Sequence, residues 1–127
     1  MVVVEDDEDY RAMLRVLLSR LPIQHSLEAL FFERVDEARS AFKKQRVDVV
    51  LADFHLPDGT GVEVVGHAQR VAPDSHRIVL TGTPAEARAA SSDAARPHDI
   101  WDKRIGADEL RARLSTVFAT LLQSRGR

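Results

Sequence analysis

The chain holds 127 residues with 18 Lys+Arg against 20 Asp+Glu, a formal charge of −2, and no cysteine. That length suits one domain with a real core, the lack of cysteine excludes disulfides, cysteine-ligated zinc and thiol catalysis, and the charge offers no basic footprint for nucleic acid. No apolar run is long enough to span a membrane and no basic-then-apolar leader precedes the first charges, so a cytoplasmic, non-membrane domain is expected.

Val2-Val3-Val4 is a β-branched run that stops at Glu5. Met13, Leu14, Leu17, Leu18 and Leu21 then recur at helical spacing, and Pro22 should end that helix near Leu21. Leu27 to Phe32 reads as a second strand, interrupted by Glu28. Asp36 is placed to cap a helix whose apolar side includes Ala38, Ala41 and Phe42. Val47 to Ala52 is the clearest strand and ends at Asp53. Leu56-Pro57-Asp58-Gly59-Thr60-Gly61 is turn chemistry. A helix follows over Val62 to Val71, then an apolar run Ile78-Val79-Leu80 ending at Thr81-Gly82. Pro84 to Ala95 is an alanine-rich helix candidate, broken by Pro97. Ile100-Trp101 is a short fifth strand ending near Lys103, and Leu110, Leu114, Val117 and Leu121 give the last helix an apolar stripe. The domain is read as residues 1–124, with a polar tail at 125–127. Five strands alternating with five helices predict an α/β fold, a doubly wound five-stranded parallel sheet.

Each apolar run ends on a chemically useful residue. The first ends on Glu5-Asp6, the third on Asp53, the fourth on Thr81 and the fifth near Lys103. In an open parallel sheet these ends share one edge, where ligands bind. Carboxylates gathered there repel; two unit charges about 4 Å apart interact by roughly 4 kcal/mol at an effective dielectric of 20. A hard cation such as Mg²⁺ or Mn²⁺ relieves that repulsion. A metal, a carboxylate nucleophile, a hydroxyl and an ammonium together suit phosphoryl transfer.

Taken in order, Val3-Val4-Glu5-Asp6, Val50-Leu51-Ala52-Asp53 with Leu56-Pro57-Asp58-Gly59-Thr60-Gly61, Val79-Leu80-Thr81-Gly82 and Lys103 resemble the receiver domains of two-component response regulators. The match runs over essentially the whole chain. The resemblance implies a flavodoxin-like sheet of order 2-1-3-4-5. It implies that Asp53 accepts a phosphoryl group from a sensor histidine kinase or phosphotransfer protein in a phosphorelay, and that the chain is a signalling domain rather than an enzyme with turnover. It implies Mg²⁺ held by Asp6 directly, Glu5 mainly through water, Asp53, and the backbone carbonyl of His55. Thr81 would bond the phosphoryl oxygen and shift on activation, and Lys103 would pair with the phosphate. His55 and Thr83 occupy positions whose side chains tune phosphate lifetime in this family. The output protein or domain is unknown; binding to nucleic acid by this domain is not expected.

The acidic run Glu5-Asp6-Asp7-Glu8-Asp9 leaves a choice of register. Glu5-Asp6 directly follow the valines and are taken as the metal pair, with Asp6-Asp7 as the alternative; Asp7-Glu8-Asp9 then suit a helix N-terminus. Two residues depart from the family pattern. Arg104 stands where proline usually follows the lysine, so either a trans bond with a reshaped loop or a cis bond is expected. Ile100 stands at the position of the switch aromatic, and Trp101, one later, must face the other side of the sheet.

Each residue also has a plainer reading. Asp53 alone is as readily a strand-end cap, Thr81 a satisfied hydroxyl and Lys103 a solvated lysine. His25, His67, His76 and His98 lack ligand spacing and read as surface residues. The last helix's stripe reads as core, with a homodimer contact as the alternative for part of it. Trp101 reads as packed near that helix. Three function classes follow: a phosphorylatable receiver, a divergent receiver-like interaction module that takes no phosphate, and a phosphatase resembling the haloacid dehalogenase superfamily. The last places its nucleophile before its acid pair, the reverse of the order here. A flavin-binding reading lacks a phosphate-cradling loop after the first strand. The strand beginning beside Met1 and the end after the last helix fit a receiver acting alone or one domain of a larger regulator.

Overall fold

A computed structural model describes residues 1–21 and 28–125. The valine run forms β1 (Val2–Val4), all three side chains buried. Helix α1 (Glu8–Ser19) follows, then β2 (Leu30–Phe32), α2 (Val35–Lys44) and β3 (Val49–Asp53). The turn-rich segment forms a small antiparallel hairpin, β4 (His55–Leu56) and β5 (Gly59–Thr60). It leads into α3 (Gly61–Val71), β6 (His76–Thr81), α4 (Pro84–Ala90), β7 (Asp99–Asp102) and α5 (Ala107–Arg125).

The main sheet has the order β2-β1-β3-β6-β7, every pair parallel. With the hairpin set aside, this is the expected 2-1-3-4-5 arrangement. The period-two alternation of the strands sorts the core into two faces. Val3, Leu51, Ile78, Leu80 and Trp101 pack with α1 and with Leu110, Leu114, Val117 and Phe118 of α5. Val2, Val4, Val50 and Ala52 pack with α2 and α3, while Val79 meets Val62, Val65 and Ala87 beneath α3 and α4. Leu121 completes the α5 stripe against the same cluster as Trp101. Among the described residues no helix is long and apolar enough to cross a membrane.

Several boundaries differ from the sequence reading. The second strand begins at Leu30; its expected start, Leu27, and also Pro22 and His25, lie outside the described residues. The third strand begins at Val49 rather than Val47 and includes Asp53. Helix α4 stops at Ala90 rather than Ala95. There Ser91 turns back, its hydroxyl donating to the Ala87 carbonyl and its N–H to that of Arg88. The side chain of Gln69 on α3 then holds the following loop, donating to the Asp93 carbonyl (2.8 Å) and accepting from the Arg96 N–H (2.9 Å). Asp36 is not the cap of α2, which starts one residue earlier; Asp58 of the hairpin accepts from the N–H groups of Val35 (2.7 Å) and Asp36 (3.1 Å). The histidines are more engaged than a surface reading predicts. His67 stacks on Phe42, and His76 stacks on His98 with ring centroids 4.6 Å apart.

Candidate phosphoacceptor site

The parallel register brings the ends of β1, β3, β6 and β7 to one edge. Glu5 leaves β1 buried, its N–H donating to the Phe32 carbonyl of β2. Asp6 is exposed, and Asp7 caps α1 by accepting from the Tyr10 N–H at 3.0 Å. The acidic run is therefore divided as the valine boundary suggests: Glu5-Asp6 at the rim, Asp7 as cap, Glu8 and Asp9 in the first helical turn. Carboxylate oxygens of Glu5, Asp6 and Asp53 lie within 4.8 Å of one another.

Lys103 crosses this cluster. Its Nζ donates to Glu5 Oε1 at 2.5 Å and sits 3.4 Å from Asp53 Oδ1. It also lies 4.4 Å from the ring centroid of Tyr10. The Lys103 N–H donates to the Thr81 carbonyl, which ties the lysine loop to the end of β6. Burial pushes the Glu5 carboxyl up to about 7, against the Lys103 hydrogen bond and with the Asp53 charge adding to the rise. Burial works to lower Lys103, but the bond to Glu5 and the charges of Glu5 and Asp53 outweigh it and hold its pKa above the usual lysine value. Burial beside these carboxylates pushes Tyr10 up to about 12. The cluster is thus rich in oxygen donors and in negative charge that one ammonium only partly offsets. Hard oxygen ligands in that number fit Mg²⁺, and the chain has no thiol to favour a softer ion.

Thr81 is fully buried, its Oγ1 accepting from the Thr83 N–H at 3.0 Å and lying 3.2 Å from Thr83 Oγ1. Thr83 Oγ1 in turn lies 3.2 Å from His55 Nε2 and donates to Glu86 Oε2 at 3.3 Å. The two residues named for phosphate lifetime are therefore in direct contact beside the rim. Glu86 and Tyr10 were not anticipated. Glu86 stands three residues after Thr83 at a helix start, and Tyr10 follows the acidic run within the first turn of α1; such spacings are the only local signal.

Trp101 is buried against α5, and Ile100 is half-buried on the opposite face with Val65, Val79 and Ala87. No described peptide bond is cis, so the Lys103–Arg104 bond is trans. The loop is closed instead by Arg104, whose N–H and Nε donate to Asp102 Oδ1 at 2.8 and 3.0 Å. These bonds hold the Asp102 carboxyl down to about 2.

Residues 1–115 match the family model for the response regulator receiver domain. The chain belongs to that family. It is 27% identical over 116 residues to the response regulator protein PilR of Pseudomonas aeruginosa, covering 91% of this chain and 25% of that protein's length. The receiver domain also superposes on solved structures. The signal receiver domain of an HD domain-containing protein from Pseudomonas fluorescens gives a TM-score of 0.83 at 24% identity, over 99% of this chain and 90% of that one. The response regulator TrrA of Thermotoga maritima, solved in complex with Mg²⁺-BeF, gives 0.75 at 26% identity, over 91% and 96%. As a receiver domain the chain is a signalling domain of two-component systems, with its acidic cluster at the edge where the fold positions ligands.

Proposed function

We propose that this receiver domain accepts a phosphoryl group on Asp53 from the phosphohistidine of a sensor kinase or phosphotransfer protein in the cytoplasm. The observation that carries the reading is the Lys103 ammonium set between Glu5 and Asp53 within a three-carboxylate cluster. Mg²⁺, when bound by Glu5, Asp6, Asp53 and the His55 carbonyl, supplies positive charge for the phosphoryl oxygens. A carboxylate oxygen of Asp53 forms a bond to phosphorus as the phosphorus–nitrogen bond to the donor imidazole breaks. The imidazole keeps the electron pair and takes a proton from water. Lys103 moves from the carboxylates toward the incoming phosphoryl oxygens, and the Thr81 hydroxyl exchanges its Thr83 contacts for one of them. That exchange links the acyl phosphate to the start of α4 through Thr83 and Glu86, and so to the surface an output partner reads.

A second reading, a receiver-like interaction module that takes no phosphate, is favoured by one observation: Ile100, not an aromatic, faces the α4 side, while Trp101 is committed to the α5 core. Intact mass after incubation with acetyl phosphate and Mg²⁺ separates the two. One phosphoryl group on wild type, absent from Asp53→Asn and abolished by chelator, is the expected result. An unchanged mass together with failure to bind beryllofluoride would leave the interaction module.

A further inference from the structure

At the end of the sheet opposite the acidic rim, Arg77 lies near the start of β6 and is 8% exposed. Its Nη1 donates to three neutral acceptors: the carbonyls of Pro73 (3.1 Å) and Ser75 (3.0 Å) and the Ser75 hydroxyl (3.4 Å). Nε is buried without a partner among the described residues. Burial alone lowers its pKa, with no carboxylate opposing the effect. A guanidinium in that setting bears a desolvation cost that no counter-charge offsets.

A cavity of about 580 Å³ adjoins it, lined by Gln69, Arg77, Asp93, Arg96, Pro97 and His98. Its wall is built rather than loose. Gln69 clamps the backbone at Asp93 and Arg96, and the His98 N–H donates to the Arg77 carbonyl. His98 Nδ1 accepts from the Arg77 N–H at 3.0 Å, which leaves the ring proton on Nε2. Arg96 and Asp93 pair at 2.8 Å and cancel, so the lining carries one uncompensated positive charge, that of Arg77.

We propose that this cavity is a carboxylate-binding site, in which the Arg77 guanidinium supplies the counter-charge and Gln69 and His98 line the walls. A single net positive charge matches a carboxylate monoanion; a phosphate dianion would overfill it beside Asp93. A guanidinium lining a cavity offers a carboxylate charge-assisted hydrogen bonds from planar N–H donors. The proposal stands independently of the phosphoacceptor reading.

The test is NMR titration of the Arg77 Nε–H and Gln69 side-chain amide resonances with sodium acetate, at ionic strength held constant with chloride. A parallel arm uses a blocked glycine peptide bearing one aspartate. Saturable shifts are expected with acetate, roughly tenfold weaker in Arg77→Lys, which keeps the charge without the planar guanidinium. They should be lost at Gln69 in Arg77→Met, whose folding is checked by a cooperative Trp101 fluorescence melt; if that variant does not fold, the lysine variant decides. Tighter binding of the peptide assigns the site to an acidic partner segment, and tighter binding of acetate to a free carboxylate. Absence of saturation, equal shifts with chloride or phosphate, or binding of undiminished affinity in Arg77→Lys would overturn the proposal.

Discussion

A Cβ placed on Gly61 would fall 2.3 Å from the Asp53 carbonyl oxygen and 2.9 Å from its carbon. The backbone must therefore give way in Gly61→Ala, at the junction that delivers Asp53 to the rim. The expected cost is about 1–3 kcal/mol, typical of overpacking against a rigid neighbour, measured by denaturant unfolding. Unfolding at the wild-type midpoint would mean that the junction yields freely. The sequence offered Gly61 only as turn chemistry; its close approach to β3 belongs to the folded chain. The meeting of Glu5, Asp53 and Lys103, with Thr81 bonded to the lysine's backbone, was legible because each stands at or near the end of an apolar run, and strand ends share an edge. Tyr10, Glu86 and buried Arg77 were not legible. Their roles depend on neighbours from other elements, and an arginine opening an apolar strand reads as solvated until the α4–β7 loop covers it.

At the scale of elements, the helices and strands that carry strong periodicity were readable, and their ends were not. The cap of α2 shows why. Asp58 reaches the helix from the hairpin, 22 to 23 residues along the chain, so no local pattern around Asp36 could reveal it. The N–H of Val35, then that of Asp36 and the nearby Arg34, hold the Asp58 carboxyl below the usual carboxylate range. Its folded pKa is depressed, so the stabilisation is present above the unfolded value of about 3.9 and is lost as pH falls through the folded value. Asp58→Ala should melt a few degrees below wild type at pH 7, and the gap should close as pH falls below about 4. Thermal melts across that range check it; a gap independent of pH would remove the carboxylate from the cap. Helix α4 makes the same point in reverse. Its alanines favour continuing past Ala90, but Gln69 offers the next loop better hydrogen bonds.

For the whole molecule, alternation of strand and helix was enough to anticipate the doubly wound sheet, and the two core faces follow from strand period alone. If the rim holds a divalent ion as proposed, folding should respond to it. Mg²⁺ at a hundredfold excess over its dissociation constant should stabilise the native state by about 2.7 kcal/mol. Calorimetry should show the melting temperature rising with Mg²⁺, returning with chelator, and responding much less in Asp6→Asn; no rise over a wide concentration range would count against the metal site. The Glu5–Lys103 pair adds a consequence in time rather than space, because its members lie 98 residues apart. During synthesis the carboxylates emerge early and the lysine late, after β7. A growing or truncated chain therefore holds Asp53 without its ammonium. The charge balance of the rim is thus completed only once β7 has been made, with α5 still to pack against it.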